Sequence, residues 1–262
     1  MTISSRPGEA PRSVSEYDTQ WLKEHLEAER RSAGILSEIR EAVFGAQDGL
    51  TSVLAVVSTV GGATGESYPV LVSGLAATLA GVFSMAAGEY MSSKSQREIF
   101  DAQIASEAEE VEQRPSEALA EVAYMLTEEG LDQEAARRVA HELASSKSVL
   151  LKTMVEKELG LTVEHDPHTV RGALVMGASF GLAGIVPIVP YLVMPVGMAV
   201  YLSVALSAMV LFGMGAIKSR WTRRSWFISG LEVFGLGAFA GIAGYLFGTL
   251  LPAALGVAGV SA

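Results

Sequence analysis

Five apolar stretches of membrane-spanning length constrain this chain more than any other feature of its sequence. They cover about residues 43–62, 69–91, 172–192, 194–217 and 226–251. A bilayer core of ~30 Å takes about 20 residues of helix, and every backbone polar group within it must be satisfied internally. The expected fold class is therefore an all-α integral membrane protein with five transmembrane helices. Lysine and arginine set the orientation. Arg30, Arg31 and Arg40 precede the first stretch, and Lys94 and Arg97 follow the second. Arg171 precedes the third, and Lys218, Arg220, Arg223 and Arg224 separate the fourth from the fifth. The connections around ATGESYP and PYLVMP carry neither residue type. This alternation predicts a cytosolic amino terminus, an outer carboxyl terminus and an odd number of spans.

The remaining chain divides by composition. Residues 1–15 are polar with Pro, Gly and Ser, and read as disordered. Residues 16–41 read as an amphipathic lead-in helix with Trp21, Leu22, Leu26, Ile35, Leu36 and Ile39 at its apolar positions. Its basic side fits either an anionic membrane surface or a simple approach to the first span. No apolar signal core precedes residue 40, so no cleaved signal peptide is expected and the first span would act as targeting signal. Residues 42–92 hold spans one and two, 171–251 hold spans three to five, and 252–262 form a short non-cytosolic tail. Between them, residues 93–170 are too long and too charged for an ordinary loop. This insert predicts four helices: a continuation of the second span, one begun by Pro115 and stopped at Gly130, one capped by Asp132, and one ending at Gly160.

Charge and composition exclude several functions. The net charge of −10 leaves no basic footprint for nucleic acid. The absence of cysteine removes disulfides and thiolate metal sites, leaving oxygen, imidazole and thioether donors. Mean hydropathy is +0.35 because charged segments alternate with apolar ones. No phosphate-binding loop, dinucleotide fingerprint or nucleophile elbow is present, so neither ATP hydrolysis nor serine-type catalysis is expected. The ExxH spacing of di-iron bundles is missing as well, which argues against a ferroxidase.

Polar groups inside the spans are the first candidates. Asp48 stands in FGAQDGL, about two turns into the first span, where a carboxylate is costly and usually faces a partner or a water-filled path. Gly45 and Gly49 flank it in a GxxxG spacing that permits close helix contact. The plainer reading is an interfacial acid. Met85 and Glu89 share one face of the second span at i,i+4. Thioether and carboxylate together suit Fe2+, Mn2+ or Co2+ better than Mg2+ or Ca2+; ordinary packing and an interfacial acid are the plainer alternatives.

The insert supplies a second set. Glu107 and Glu110 are spaced i,i+3, while Glu117 and Glu121, and Met154 and Glu158, are spaced i,i+4. If the helices bundle, the three pairs converge on a carboxylate site with a methionine, again suited to Fe2+ or Mn2+. Solvated acidic faces remain the competing reading. Of the histidines, His165 and His168 in EHDPH are weak ligand candidates, and solvated imidazoles fit them better. Glu232 lies close enough to the basic connection before it to be neutralised there.

These residues carry a resemblance. REAVFGAQDGLTS in the first span, AGVFSMAAGEYMSSKSQRE in the second, GLDQEAARRVAHEL and KELGL in the insert, and ALVMGASFGLAGIVPIVPYL in the third span resemble the vacuolar iron transporter family and its bacterial relatives. The likeness covers about residues 38–251. It implies five membrane helices, a homodimer with the ion path between subunits, and export of Fe2+ from the cytosol in exchange for H+. Mn2+, Co2+ and Zn2+ enter as further substrates or insert ligands, and no permanently bound cofactor is expected. By the same resemblance, the family's pathway acid falls on Asp48 and its pathway methionine on Met85. Its insert ligands fall on Glu107, Glu110, Glu121, Met154 and Glu158. One family carboxylate falls on Ala118, with Glu117 as the adjacent substitute, which leaves the ligand count open. Relatives in vacuolated cells imply a vacuolar membrane; otherwise the plasma (inner) membrane is implied. A Mn2+-specific exporter and a membrane-anchored metal sensor or scaffold are the rival readings.

Overall fold

The structure is a computed structural model that describes residues 18–160, 169–222 and 224–254. The expected disorder of residues 1–15, the pair His165 and His168, Arg223 and most of the carboxyl tail lie outside those residues. Within them the chain is helical, and five helices are long and apolar enough to cross a membrane. The chain is thus an all-α integral membrane protein. The described residues form two compact units, one from those up to 82 together with those from 175 onward, the other from those between 83 and 174.

In the first unit, helix α1 spans Thr19–Thr64. The lead-in segment and the first span are one uninterrupted helix, because nothing between residues 40 and 43 breaks it. Asp18 caps it by accepting from the Gln20 amide at 3.2 Å. Gly65 ends it at φ 68°, a left-handed conformation that favours glycine, with its N–H on the Gly61 carbonyl. Two residues later α2 begins and runs from Ser67 to Gln113. Leu50, Val53, Leu54, Val57 and Ser58 form a fully buried stripe of α1 at helical spacing.

Lipid gives no hydrophobic drive for helices to associate, so close packing of small residues replaces it. Gly45 and Gly49 lie against the backbone of α6 (Thr169–Ile185) at Met176 and Phe180, where a Cβ would collide with a carbonyl oxygen. Gly244 on α9 (Trp226–Ala254) meets the backbone of Ala55 in the same manner. Thr59 adds an interhelical hydrogen bond, donating to the Gly244 carbonyl at 2.8 Å.

The third span differs from a single continuous helix. After α6 a turn leads into α7, Pro190–Val193. Pro187 and Pro190 each lack an amide proton and clash with the preceding turn, so the helix cannot continue. The Pro187 carbonyl is not left orphaned: Ser203 on α8 (Val196–Thr222) donates to it at 2.7 Å. That repair is how broken helices are tolerated at membrane depth. Glu232 on α9 pairs at 3.5 Å with Arg224 in the connection before that helix.

The second unit contains the distal part of α2, then α3 (Pro115–Glu128), α4 (Gln133–Leu143) and α5 (Lys147–Glu158). Its start and stop signals are chemical. Pro115 occupies the first turn of α3, and Gly130 takes φ 104° just beyond its end. Asp132 caps α4 by accepting from the amides of Glu134 and Ala135, and Gly160 follows α5 at φ 63°. Val111, Ala118, Val122, Leu126, Ala136, Ala140, Leu150 and Met154 form one apolar core. Lys147 pairs with Glu112 at 2.7 Å and Lys157 with Glu129 at 2.5 Å, tying α5 to α2 and α3.

Candidate metal-handling sites

The insert's acidic pairs meet. Glu107 and Glu110 come from α2, Glu117 and Glu121 from α3 and Glu158 from α5. One carboxylate oxygen each from Glu110, Glu117 and Glu121 lie within 4.8 Å of one another. Burial raises the carboxyl of Glu107 above the ordinary range, and the charges of Glu158 and Glu110 raise it further. Glu121 is pushed up to about 7, first by burial, then by the charge of Glu110, a hydrogen bond with it, and the charges of Glu158 and Glu117. Two carboxylates can share a hydrogen bond only when one carries the proton. A divalent cation satisfies the same oxygens without it. Glu110 Oε1 emphasises the point, being buried with no donor group to bond it. A cleft of about 400 Å³ opens beside these groups, lined by Glu117, Ala120, Glu121, Tyr124, Met125 and Glu158.

Position 118 explains how the site tolerates alanine. Ala118 is 0% exposed in the apolar core, whereas the Glu117 carboxylate reaches Glu110 and Glu121 from the neighbouring position. Met154 is likewise 0% exposed within that core. The thioether lining the acidic cleft is Met125. Met125 stands i,i+4 from Glu121, the same spacing that singled out Met85 with Glu89 and Met154 with Glu158, so its signal was present in the sequence.

Sequence reasoning also missed Arg114. Its guanidinium donates to Glu110 at 3.1 Å and to Glu117 at 2.9 Å. The signal was available, since Glu110 is four residues before it and Glu117 three after. A proline corner separates them, however, and helical spacing is not ordinarily read across such a break.

A pH effect follows from the raised carboxyls. In the folded insert Glu121 holds its proton up to about pH 7, whereas in the unfolded chain it loses it near the ordinary glutamate value of 4.5. The folded state then binds more protons between those values, so the metal-free insert loses stability as pH rises through this window. Thermal melts of metal-free protein should show a falling insert transition from pH 5 to pH 7.5, and Glu121→Gln should flatten that slope. A slope unchanged by the substitution would place the proton elsewhere.

In the membrane unit, Asp48 lies on α1 between the two glycines that meet α6 and is partly buried. The Ser52 hydroxyl donates to the Asp48 carbonyl and stands 3.4 Å from its Oδ1. Met85 and Glu89 occupy one face of the α2 stretch that groups with the second unit, both partly buried. Glu89 accepts from the Ser93 hydroxyl at 2.8 Å.

Comparison with known proteins places the chain in a family. The VIT family matches over residues 39–249. Vacuolar iron transporter 2 of Oryza sativa subsp. japonica is 31% identical over 227 residues, covering 86% of this chain and 90% of the relative. Vacuolar iron transporter 1 of Arabidopsis thaliana is 30% identical over 244 residues, covering 93% and 97%. The vacuolar iron transporter of Plasmodium falciparum is 29% identical over 223 residues, covering 81% and 82%. With the match spanning both membrane and insert segments, the chain belongs to the VIT family.

Proposed function

We propose that this protein is a secondary-active transporter that moves Fe2+, and with it Mn2+ and Co2+, out of the cytosol in exchange for protons. The observation that carries the reading is the convergence of carboxylates from three helices of the insert, in a chain whose relatives are named vacuolar iron transporters. Ionised carboxylate oxygens suit these divalent ions, and a thioether at the cleft adds a softer contact. In this reading Glu107, Glu110, Glu117, Glu121 and Glu158 capture the ion on the cytosolic side, with Met125 as the thioether at the cleft in place of Met154, which the apolar core encloses. Asp48, Met85 and Glu89 are each assigned to the transport pathway. A carboxylate must lose its proton to bind a metal, so the two cargoes compete for the same oxygens and become coupled. A homodimer would present each ligand twice about a twofold axis. The membrane is vacuolar in a vacuolated cell and the plasma membrane otherwise.

Purified protein in proteoliposomes, with an imposed pH gradient and Fe2+ or Mn2+ supplied on the insert side, tests the reading. Metal flux should follow the gradient and collapse with a proton ionophore. Replacing Glu107, Glu110, Glu121 and Glu158 together by Gln should weaken metal capture at least about tenfold while the spans stay folded. Wild-type affinity in that variant would remove the insert's role, and absence of any flux in the parent protein would favour a sensor or scaffold.

A further inference from the structure

Arg114 is the single residue between α2 and α3. Pro115 disfavours helical geometry for the residue before it, and Arg114 takes φ −132° and ψ 51°. Its amide still donates to the Glu110 carbonyl at 2.7 Å, closing α2. Its own carbonyl accepts from the Glu117 and Ala118 amides at 2.9 and 3.1 Å, opening α3. The side chain repeats this division: one nitrogen holds Glu110 of α2, the other Glu117 of α3. These are two of the three carboxylates whose oxygens lie within 4.8 Å of one another.

We propose that Arg114 is a tethered cation that occupies the acidic cluster when metal is absent and is displaced when metal binds, so that it sets how weakly the insert holds its cargo. The inference rests on the reading of this cluster as the metal-capture site and adds a residue that opposes the metal. A guanidinium and a divalent ion compete for the same lone pairs. Metal–oxygen bonds of about 2.0–2.2 Å would draw Glu110, Glu117 and Glu121 together around an ion. The arginine charge, held on two of those carboxylates, would then stand a few ångströms from a doubly positive centre and repel it. Its side chain is 56% exposed, so it can swing into water at little cost. When the ion leaves, the guanidinium returns to Glu110 and Glu117 and offsets part of the repulsion within the cluster. A station that must pass its ion onward gains from such a competitor, because it limits affinity without removing a ligand.

The test is Mn2+ binding to the full-length protein in detergent micelles, followed by calorimetry and by the electron paramagnetic resonance signal of free Mn2+. Arg114→Gln should bind Mn2+ roughly fivefold more tightly than the parent, and Arg114→Lys, which keeps the charge, should stay within about twofold. Should Arg114→Gln lose helical content, Arg114→Met, which keeps the aliphatic stem, takes its place. Glu110→Gln and Glu121→Gln serve as the site control and should weaken binding. Unchanged or weaker affinity in the charge-free variants, with binding still lost in the glutamine controls, overturns the role of Arg114 alone. No Mn2+ binding to the parent, or binding indifferent to the glutamine controls, overturns the capture site and this proposal with it.

Discussion

Asp48→Ala is expected to reduce pH-driven metal flux in proteoliposomes to the level of empty vesicles, the largest functional loss of any single substitution in this chain. The argument begins with cost. A carboxylate within an apolar span is unfavourable and persists where it meets a partner or a water-filled path. Asp48 sits on α1, the helix whose next two turns form the most deeply buried stripe of the membrane unit. One Asp48 oxygen faces the Ser52 hydroxyl at 3.4 Å, a contact too long to be a strong bond. Among the described contacts no ion pair consumes the carboxylate. Asp48→Asn separates charge from shape, because it keeps the volume and should fail nearly as badly if ionisation is the requirement. Undiminished flux in Asp48→Ala would sink the pathway assignment.

The largest structural effect should come from one carbon atom. Gly49→Ala places a Cβ against the carbonyl oxygen of Phe180, a backbone atom that cannot rotate away. Relief requires α1 and α6 to separate, and overpacking of this kind costs about 1–3 kcal/mol. The purified variant should melt at a clearly lower temperature and carry less metal, since the glycine adjoins Asp48. Gly34→Ala on the same helix is the matched control. No atom lies within 4 Å of a Cβ there, and alanine is the better helix former by about 1 kcal/mol. Equal melting temperatures for the two variants would show that the α1–α6 approach is not rigid.

Much of this was legible in the sequence because it depends on local chemistry. The five spans follow from apolar length, and the helix boundaries of the insert from Pro115, Gly130, Asp132 and Gly160. The GxxxG around Asp48 announced a close approach without naming its partner. The broken third span shows where pattern reading stops: Pro187 and Pro190 lie inside an apolar run that looks continuous, and only the Ser203 bond shows how the interruption is made tolerable. The joining of the lead-in segment to the first span is similar, since a change of composition is not a change of backbone.

The sequence by itself determined which segments can enter a membrane, which faces of the insert are acidic and which family the motifs resemble, because length, periodicity and residue type are properties of neighbours along the chain. The tertiary structure alone decided which acids meet. Glu110 on α2 lies next to Glu117 and Glu121 on α3 because a one-residue corner folds α3 back, and no periodicity carries across that corner. It also decided that Ala118 faces the core while Glu117 reaches the cluster, and that Arg114 stands among acids assumed to be waiting for a metal. Charges separated along the chain acquire their energies from distance in space, and distance in space is what folding supplies.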